Sequence, residues 1–155
     1  MKKCFLAAIL ALLLLVAGCA AEPMQPVEYA RAVMDNAQQY FDMIDKISDT
    51  EDEALERSEF NAVRKESEDI LRTMEKLTPP DDYAELHEKL CKGIEKEREW
   101  FVLVEKIYYT DSGNKENLTQ ELNKLVSDPV FPQTVLEIAK AVDEDTDGAF
   151  LETLK

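Results

Sequence analysis

Two residues that often bind metal ions, His87 and Cys91, lie four positions apart in the chain. On a helix this spacing places both side chains on one face. A closed structural metal site needs about four ligands, however, and these two do not complete one. The sequence also has no Cys-x-x-Cys-His motif for covalent haem attachment. We therefore predict no metal and no cofactor here, and interpret His87 as a histidine at the edge of the core.

The acidic segment 143–148 begins like a calcium-binding loop. Asp143, Asp145 and Asp147 alternate with other residues and Gly148 follows, which is the order in which an EF-hand loop supplies its first ligands. The twelfth position is Leu154, where a bidentate glutamate would complete the coordination. The segment is better interpreted as an acidic helix end. Cation binding by the acidic surface stays open as an alternative.

No motif for catalysis is present. The sequence has no Gly-x-Ser-x-Gly, no glycine-rich phosphate loop and no His-Glu-x-x-His. It therefore predicts a protein that is not an enzyme, although an acid–base site assembled from distant carboxylates stays open.

The charge of the chain excludes nucleic-acid-binding proteins. With 18 Lys and Arg against 33 Asp and Glu, the net charge is −15, and such a chain cannot neutralise a row of nucleic acid phosphates.

The first 18 residues are typical of a secretory signal peptide. Lys2 and Lys3 precede an uninterrupted apolar run over 5–16. That run is shorter than the about 20 residues needed to span a bilayer, but it suits the apolar region of a signal peptide, which is about 7–15 residues long. Small residues follow at once, and the run ends in Val16-Ala17-Gly18-Cys19.

Val16-Ala17-Gly18-Cys19 resembles the lipobox of bacterial lipoproteins, in which an aliphatic residue and two small residues precede a cysteine. The resemblance implies that the Cys19 thiol receives a diacylglyceryl group, that the signal is cleaved just before Cys19, and that the new amine is often acylated. It covers residues 1–21 and implies nothing about the remainder. The alternative is ordinary secretion with cleavage near Ala20-Ala21, in which Cys19 has no special role.

Lipidation would place the domain outside the cytoplasm, on the outer face of the cell membrane or on an outer membrane. Two or three acyl chains give stable attachment without a polybasic patch. Loss of Lys2 and Lys3 with the signal leaves 16 basic and 33 acidic residues, a charge of −17. Because anionic lipids repel this charge, we expect the domain to stand off the membrane on a tether over 19–26. With Cys4 cleaved off and Cys19 lipidated, we predict no intramolecular disulfide and a small, buried, apolar Cys91.

Residues 27–155 predict one acidic domain built from helices. Apolar residues recur at steps of three and four, and the prolines at 79, 80 and 129 separate the segments. The predicted helices span about 26–47, 51–77, 79–110 and a short 115–127, with a last one from 128 that carries Ala149. Thr50 with Glu53 is predicted to cap the second helix and Thr78 the third. Because short loops join antiparallel neighbours, the expected fold is all-α, an up-down four-helix bundle with one short extra helix.

The aromatic half of the third helix, over 100–109, is apolar on nearly all sides. A strand is an alternative for this segment because its residues are good strand formers. We predict a buried helix covered by the short helix that follows, and an exposed patch that recognises a protein partner is the alternative. The whole sequence thus predicts a lipid-anchored, non-enzymatic helical lipoprotein with a binding or envelope-structural role. A cation- or small-ligand-binding lipoprotein and an accessory envelope enzyme are the alternatives.

Overall fold

The computed structural model describes residues 22–48, 56–109 and 113–154, and all regular structure within these ranges is helical. The predicted all-α class is confirmed. The signal peptide, Cys19 and the predicted cap at Thr50 lie outside the described residues. The elements are α1 (Pro26–Ser48), α2 (Arg57–Glu75), a 3₁₀ turn (Asp81–Tyr83), α3 (Ala84–Tyr109), α4 (Lys115–Val126), α5 (Val130–Asp145) and α6 (Ala149–Glu152).

The starts of two predicted helices differ from the structure. Glu56, which the predicted helix over 51–77 includes, has an extended backbone, so within the described residues α2 begins at Arg57. Thr78 does not cap the third helix. Pro80 forces the residue before it away from helical geometry, so the segment stays extended until the 3₁₀ turn, while the Thr78 carbonyl accepts a hydrogen bond from the Met24 N–H at 3.0 Å.

The last predicted helix is divided in two. α5 ends at Asp145, and the next helical residue after the break is Ala149. Asp147 and Gly148 between them have φ angles of 52° and 82°, which is the left-handed conformation that terminates helices and that glycine adopts without strain. The acidic segment therefore includes a turn that reverses the chain, so that Phe150 is returned to the core.

The core lies between α1, α2, α3 and α5, and the predicted helical stripes supply most of it. The largest fully buried side chains are aromatic: Tyr29, Tyr40, Phe60, Phe131 and Phe150. Tyr108, in the segment 100–109 that is predicted to be a buried helix, is 61% exposed, and Val27 near the start of α1 is also exposed.

The aromatic half of α3 is helical and mainly covered, as predicted. Phe101, Leu103 and Val104 are buried, and Trp100 is partly buried against the core. α4 packs against α3. The segment is thus a largely buried helix, with Tyr108 as the exposed exception, and Phe60 of α2 also packs on it at Phe101 and Tyr109. Cys91 is half-buried, not fully buried as predicted.

α3 and α5 make their closest approach at Gly93, which is buried. A Cβ atom at this position would lie 2.7 Å from the Phe131 Cα and 2.9 Å from the Phe131 backbone nitrogen. Real Cβ atoms do not approach backbone atoms so closely, so the absence of a side chain sets the spacing of the two helices. Among the helices within the described ranges, none is both long enough and apolar enough to cross a bilayer.

Candidate binding site between the second and third helices

His87 and Cys91 lie one turn apart on α3, beside Tyr29 of α1. The Tyr29 hydroxyl is 3.0 Å from His87 Nδ1, within hydrogen-bonding distance, and Tyr29 is fully buried. Burial lowers the pKa of His87 and raises that of the Cys91 thiol, so both side chains are neutral at pH 7. These contacts agree with a histidine at the edge of the core. No group of three or more metal-binding side chains occurs in the described ranges.

Two aspartates of the segment 143–148, Asp143 and Asp145, have hydrogen-bond partners for their carboxylates within the protein. Asp143 accepts hydrogen bonds from the Gly148 N–H at its carbonyl and from the Leu151 N–H at Oδ1, each at 2.8 Å. The carboxylate of Asp145 accepts a hydrogen bond from the Tyr83 hydroxyl. These interactions give the segment a structural role at the α5–α6 turn and at the contact between α5 and the start of α3.

Glu97 on α3 is a largely buried carboxyl group that the sequence analysis did not single out. The Tyr40 hydroxyl from α1 donates a hydrogen bond of 2.7 Å to its Oε2. Burial raises the pKa of Glu97, and the hydrogen bond from Tyr40 offsets this only in part. Glu97 lies in a small cavity of about 130 Å³ with Phe41, Trp100 and Pro129.

Replacing Glu97 by glutamine is expected to raise the melting temperature at pH 7 by roughly 2–4 °C, which corresponds to about 1 kcal/mol. The folded protein holds the Glu97 proton more tightly than the unfolded chain does. Stability is therefore lost as the pH rises above the ordinary carboxyl pKa, and glutamine avoids this loss while still accepting the Tyr40 hydrogen bond. The advantage should disappear near pH 4, as followed by circular dichroism melts.

The control for this experiment is Glu99→Gln, which removes the same charge from an exposed position of the same helix. It should not show the same dependence on pH. A Glu97→Gln protein that melts below the wild type at pH 7 would mean that an ionised Glu97 stabilises the fold.

The strongest polar cluster in the described structure joins α2 and α3 at Arg98. Its guanidinium donates to Glu68 through Nε at 2.9 Å and Nη2 at 3.1 Å, and to Glu75 through Nη1 at 2.6 Å and Nη2 at 2.7 Å. Glu68 and Glu75 are seven residues apart, so they lie on one face of α2. The hydrogen bonds from Arg98 hold the pKa of both carboxyls below the usual range. We call these three residues the Arg98 clamp.

A second set of ion pairs lies two turns further along the same interface. Glu105 of α3 accepts hydrogen bonds from Arg64 at 2.5 Å and from Arg57 at 3.5 Å. Arg72 reaches Glu68 of the Arg98 clamp at 3.2 Å. Four of the five arginines of the chain therefore lie at the interface between α2 and α3.

Between the two sets of ion pairs lies a cavity of about 380 Å³ that opens to solvent. Half of its eight lining residues are basic, and the other four are Asn61, Glu68, Phe101 and Val102. The basic residues are Arg64, Lys65, Arg72 and Arg98. A cavity of this size is within the range of small-molecule sites, which is about 300–1,000 Å³. We call it the α2–α3 cavity.

The sequence analysis did not identify this site. Its arginines are spread over 35 residues of sequence, from Arg64 to Arg98, and no motif links α2 to α3. One signal was available, because Arg57, Arg64 and Arg72 recur at steps of seven and eight, which places them on one face of a helix. Comparisons of the chain with protein-family models, with curated proteins and with solved structures give no match.

Proposed function

We propose that this chain is a lipid-anchored, extracytoplasmic binding protein and not an enzyme. The observation that carries the anchoring is the Val16-Ala17-Gly18-Cys19 sequence, placed directly after Lys2, Lys3 and an apolar run. Lipid on Cys19 holds the domain close to the membrane. α1 begins at Pro26, and the seven residues 19–25 reach on the order of 25 Å when fully extended.

The same proposal gives the domain an antiparallel up-down arrangement of α1, α2, α3 and α5, with α4 as the short extra helix. Contacts between the start of one helix and the end of its neighbour support this antiparallel arrangement. Phe60 near the start of α2 packs on Tyr109 at the end of α3, with ring centroids 4.9 Å apart. Tyr83 before α3 contacts Asp145 at the end of α5, while Lys96 further along α3 pairs with Asp128 just before α5.

A binding role is favoured over a purely structural one because the α2–α3 cavity offers a ligand a concave surface. The cavity has an apolar part at Phe101 and Val102 and several charged donors around it. Small-molecule sites commonly combine these features, with an apolar lining and a few polar groups that fix the orientation of the ligand. A bundle that acted only as a spacer would need no such opening.

The lipid anchor is tested by mass spectrometry of the protein purified from a bacterial host. The N-terminal peptide is expected to begin at Cys19 and to carry the mass of a diacylglyceryl group. Cys19→Ala should abolish this modification and move the protein from the detergent phase to the aqueous phase in a phase-separation assay. An unmodified wild-type chain that begins at Ala21 would contradict the proposal.

Cys91→Ala is the matched control for this experiment. It removes the one thiol that the proposed mature chain would retain, from a half-buried position on α3. The lipid-modified peptide and the partition into detergent should be unchanged in this variant. Loss of the modification in both variants would indicate a general defect of export and not a specific role of Cys19.

A further inference from the structure

The α2–α3 cavity concentrates positive charge in a chain whose net charge is −15. Its lining has four basic side chains and, among the described residues, one carboxylate, that of Glu68. The carboxylates of Glu75 and Glu105 reach these basic residues from outside the lining. Counting both still leaves four positive charges against three negative ones. This local excess of positive charge is the opposite of the balance in the chain as a whole.

The basic residues differ in how many of their N–H donors already form hydrogen bonds within the protein. Arg98 donates through all three of its nitrogens to Glu68 and Glu75, so it forms a fixed wall. Arg64 pairs with Glu105 through Nη1, and Arg72 pairs with Glu68 through Nη2. A guanidinium carries five N–H donors, so each of these two arginines retains donors for a ligand.

Lys65 is the clearest candidate for a ligand contact. It lines the cavity and is exposed, and no carboxylate in the described ranges pairs with it. Arg64 and Arg72, one residue before Lys65 and seven residues after it, line the same cavity. An ammonium group and two guanidinium groups around one opening are suited to an oxyanion, because carboxylate and phosphate oxygens accept charge-assisted hydrogen bonds from both.

The apolar residues on the α3 side of the cavity restrict the chemistry of the rest of the ligand. Phe101 and Val102 of α3 contribute an apolar surface to the cavity. Phe101 is almost fully buried and Val102 is partly exposed, so an inorganic anion would leave the exposed part of Val102 in contact with water, whereas a short hydrocarbon part would cover it. The cavity is thus matched to an amphiphilic small molecule with one charged end.

We propose that the α2–α3 cavity binds a small organic oxyanion, in which a carboxylate or phosphate ester group contacts Lys65, Arg64 and Arg72 and a short hydrocarbon part contacts Phe101 and Val102. This inference rests on the proposed binding role and names its ligand class. The Arg98 clamp keeps α2 and α3 in place and thereby preserves the cavity.

The test is calorimetric titration of the whole mature protein, with its lipid, in detergent. The titrants are the anions butyrate and glycerol 3-phosphate, and glycerol is the neutral control. We expect saturable binding of at least one of the two anions and none of glycerol. Butyrate binding alone would assign the carboxylate source, and glycerol 3-phosphate binding alone the phosphate ester source. Lys65→Gln should weaken the binding about tenfold or more, which is the effect of losing one charge-assisted hydrogen bond.

Two further variants separate a built site from general electrostatic attraction. Lys140→Gln makes the same change at an exposed position of α5 outside the cavity, and it should leave the affinity within about twofold of the wild-type value, a change of at most about 0.4 kcal/mol. Asn61→Trp keeps every charge but fills the cavity, so it should abolish binding. The proposal is overturned if neither anion binds saturably, if the two lysine variants lose affinity equally, or if Asn61→Trp binds as the wild type does.

These outcomes are independent of the lipid anchor. A lipidated chain that binds neither anion overturns the inference about the cavity and leaves the proposed anchoring intact. A chain that binds an anion but begins at an unmodified Ala21 would support the inference about the cavity and contradict the proposed lipid anchor.

Discussion

Replacing Gly93 by alanine is expected to destabilise the protein by about 2 kcal/mol, even though alanine is the better helix former. In an exposed helix this substitution would gain about 1 kcal/mol. At position 93 the new Cβ would lie 2.7 Å from the Phe131 Cα. The overlapping atoms belong to the backbone of α5, so no change of side-chain rotamer relieves the contact. α3 and α5 must separate, and packing is lost along their whole interface.

The measurement is urea unfolding followed by circular dichroism, with the midpoint expected to fall and the slope to stay unchanged. Gly113→Ala is the control, because nothing lies within 4 Å of the Cβ position at Gly113, and its effect should stay within about 0.5 kcal/mol. If Gly93→Ala were as stable as the wild type, the close approach of the two helices would not be required by the fold.

The sequence predicted the helices well because the signals for them are local. Apolar residues at steps of three and four mark one face of a helix, and α1 begins at the predicted Pro26. The predicted limits of α4 are within one residue of the structure. Where the prediction failed, a backbone preference intervened that hydrophobic spacing does not report. Pro80 kept the chain extended before α3, and the left-handed Gly148 divided the last helix.

The pairing of helices was beyond what the sequence could predict. The importance of Gly93 depends on Phe131, which lies 38 residues away, and the burial of Glu97 depends on Tyr40, 57 residues away. Neither of these two contacts produces a periodic pattern in the sequence. The sequence analysis directed attention to His87, Cys91 and the segment 143–148, where the residue types are familiar. The α2–α3 cavity instead consists of three arginines, a lysine, one glutamate, one asparagine and two apolar residues, which look like ordinary helix surface in the sequence.

The Arg98 clamp gives the second large expected effect. Replacing Arg98 by methionine keeps most of the aliphatic packing but leaves Glu68 and Glu75 facing each other without their common partner. Removing one member of a fully buried ion pair costs about 3–5 kcal/mol. Here the side chains of the three residues are 31%, 32% and 29% exposed, so solvent screens the remaining charges. We therefore expect a loss of about 2 kcal/mol at pH 7.

Arg72→Met is the matched control for this loss. Arg72 also reaches Glu68, at 3.2 Å, but its side chain is 55% exposed and the pair lies within one helix. Pairs of this kind contribute about 0.3–0.5 kcal/mol, so the control should unfold nearly as the wild type does. Equal losses of stability in Arg98→Met and Arg72→Met would show that the ion pairs between α3 and α2 contribute no more than the ion pair within α2.

The pH dependence of unfolding separates this explanation from simple loss of packing. Arg98 holds the pKa values of Glu68 and Glu75 below their usual range. The stability that it contributes is therefore present above the ordinary carboxyl pKa and is lost as the pH falls through the lower, folded-state values. The difference between wild type and Arg98→Met should be largest near pH 7 and should narrow below about pH 4, where protonation removes the repulsion in the variant. A difference that stayed constant from pH 7 to pH 3 would mean that the ionisation of Glu68 and Glu75 does not account for the loss, and the Arg98 clamp would then not hold α2 to α3 through charge.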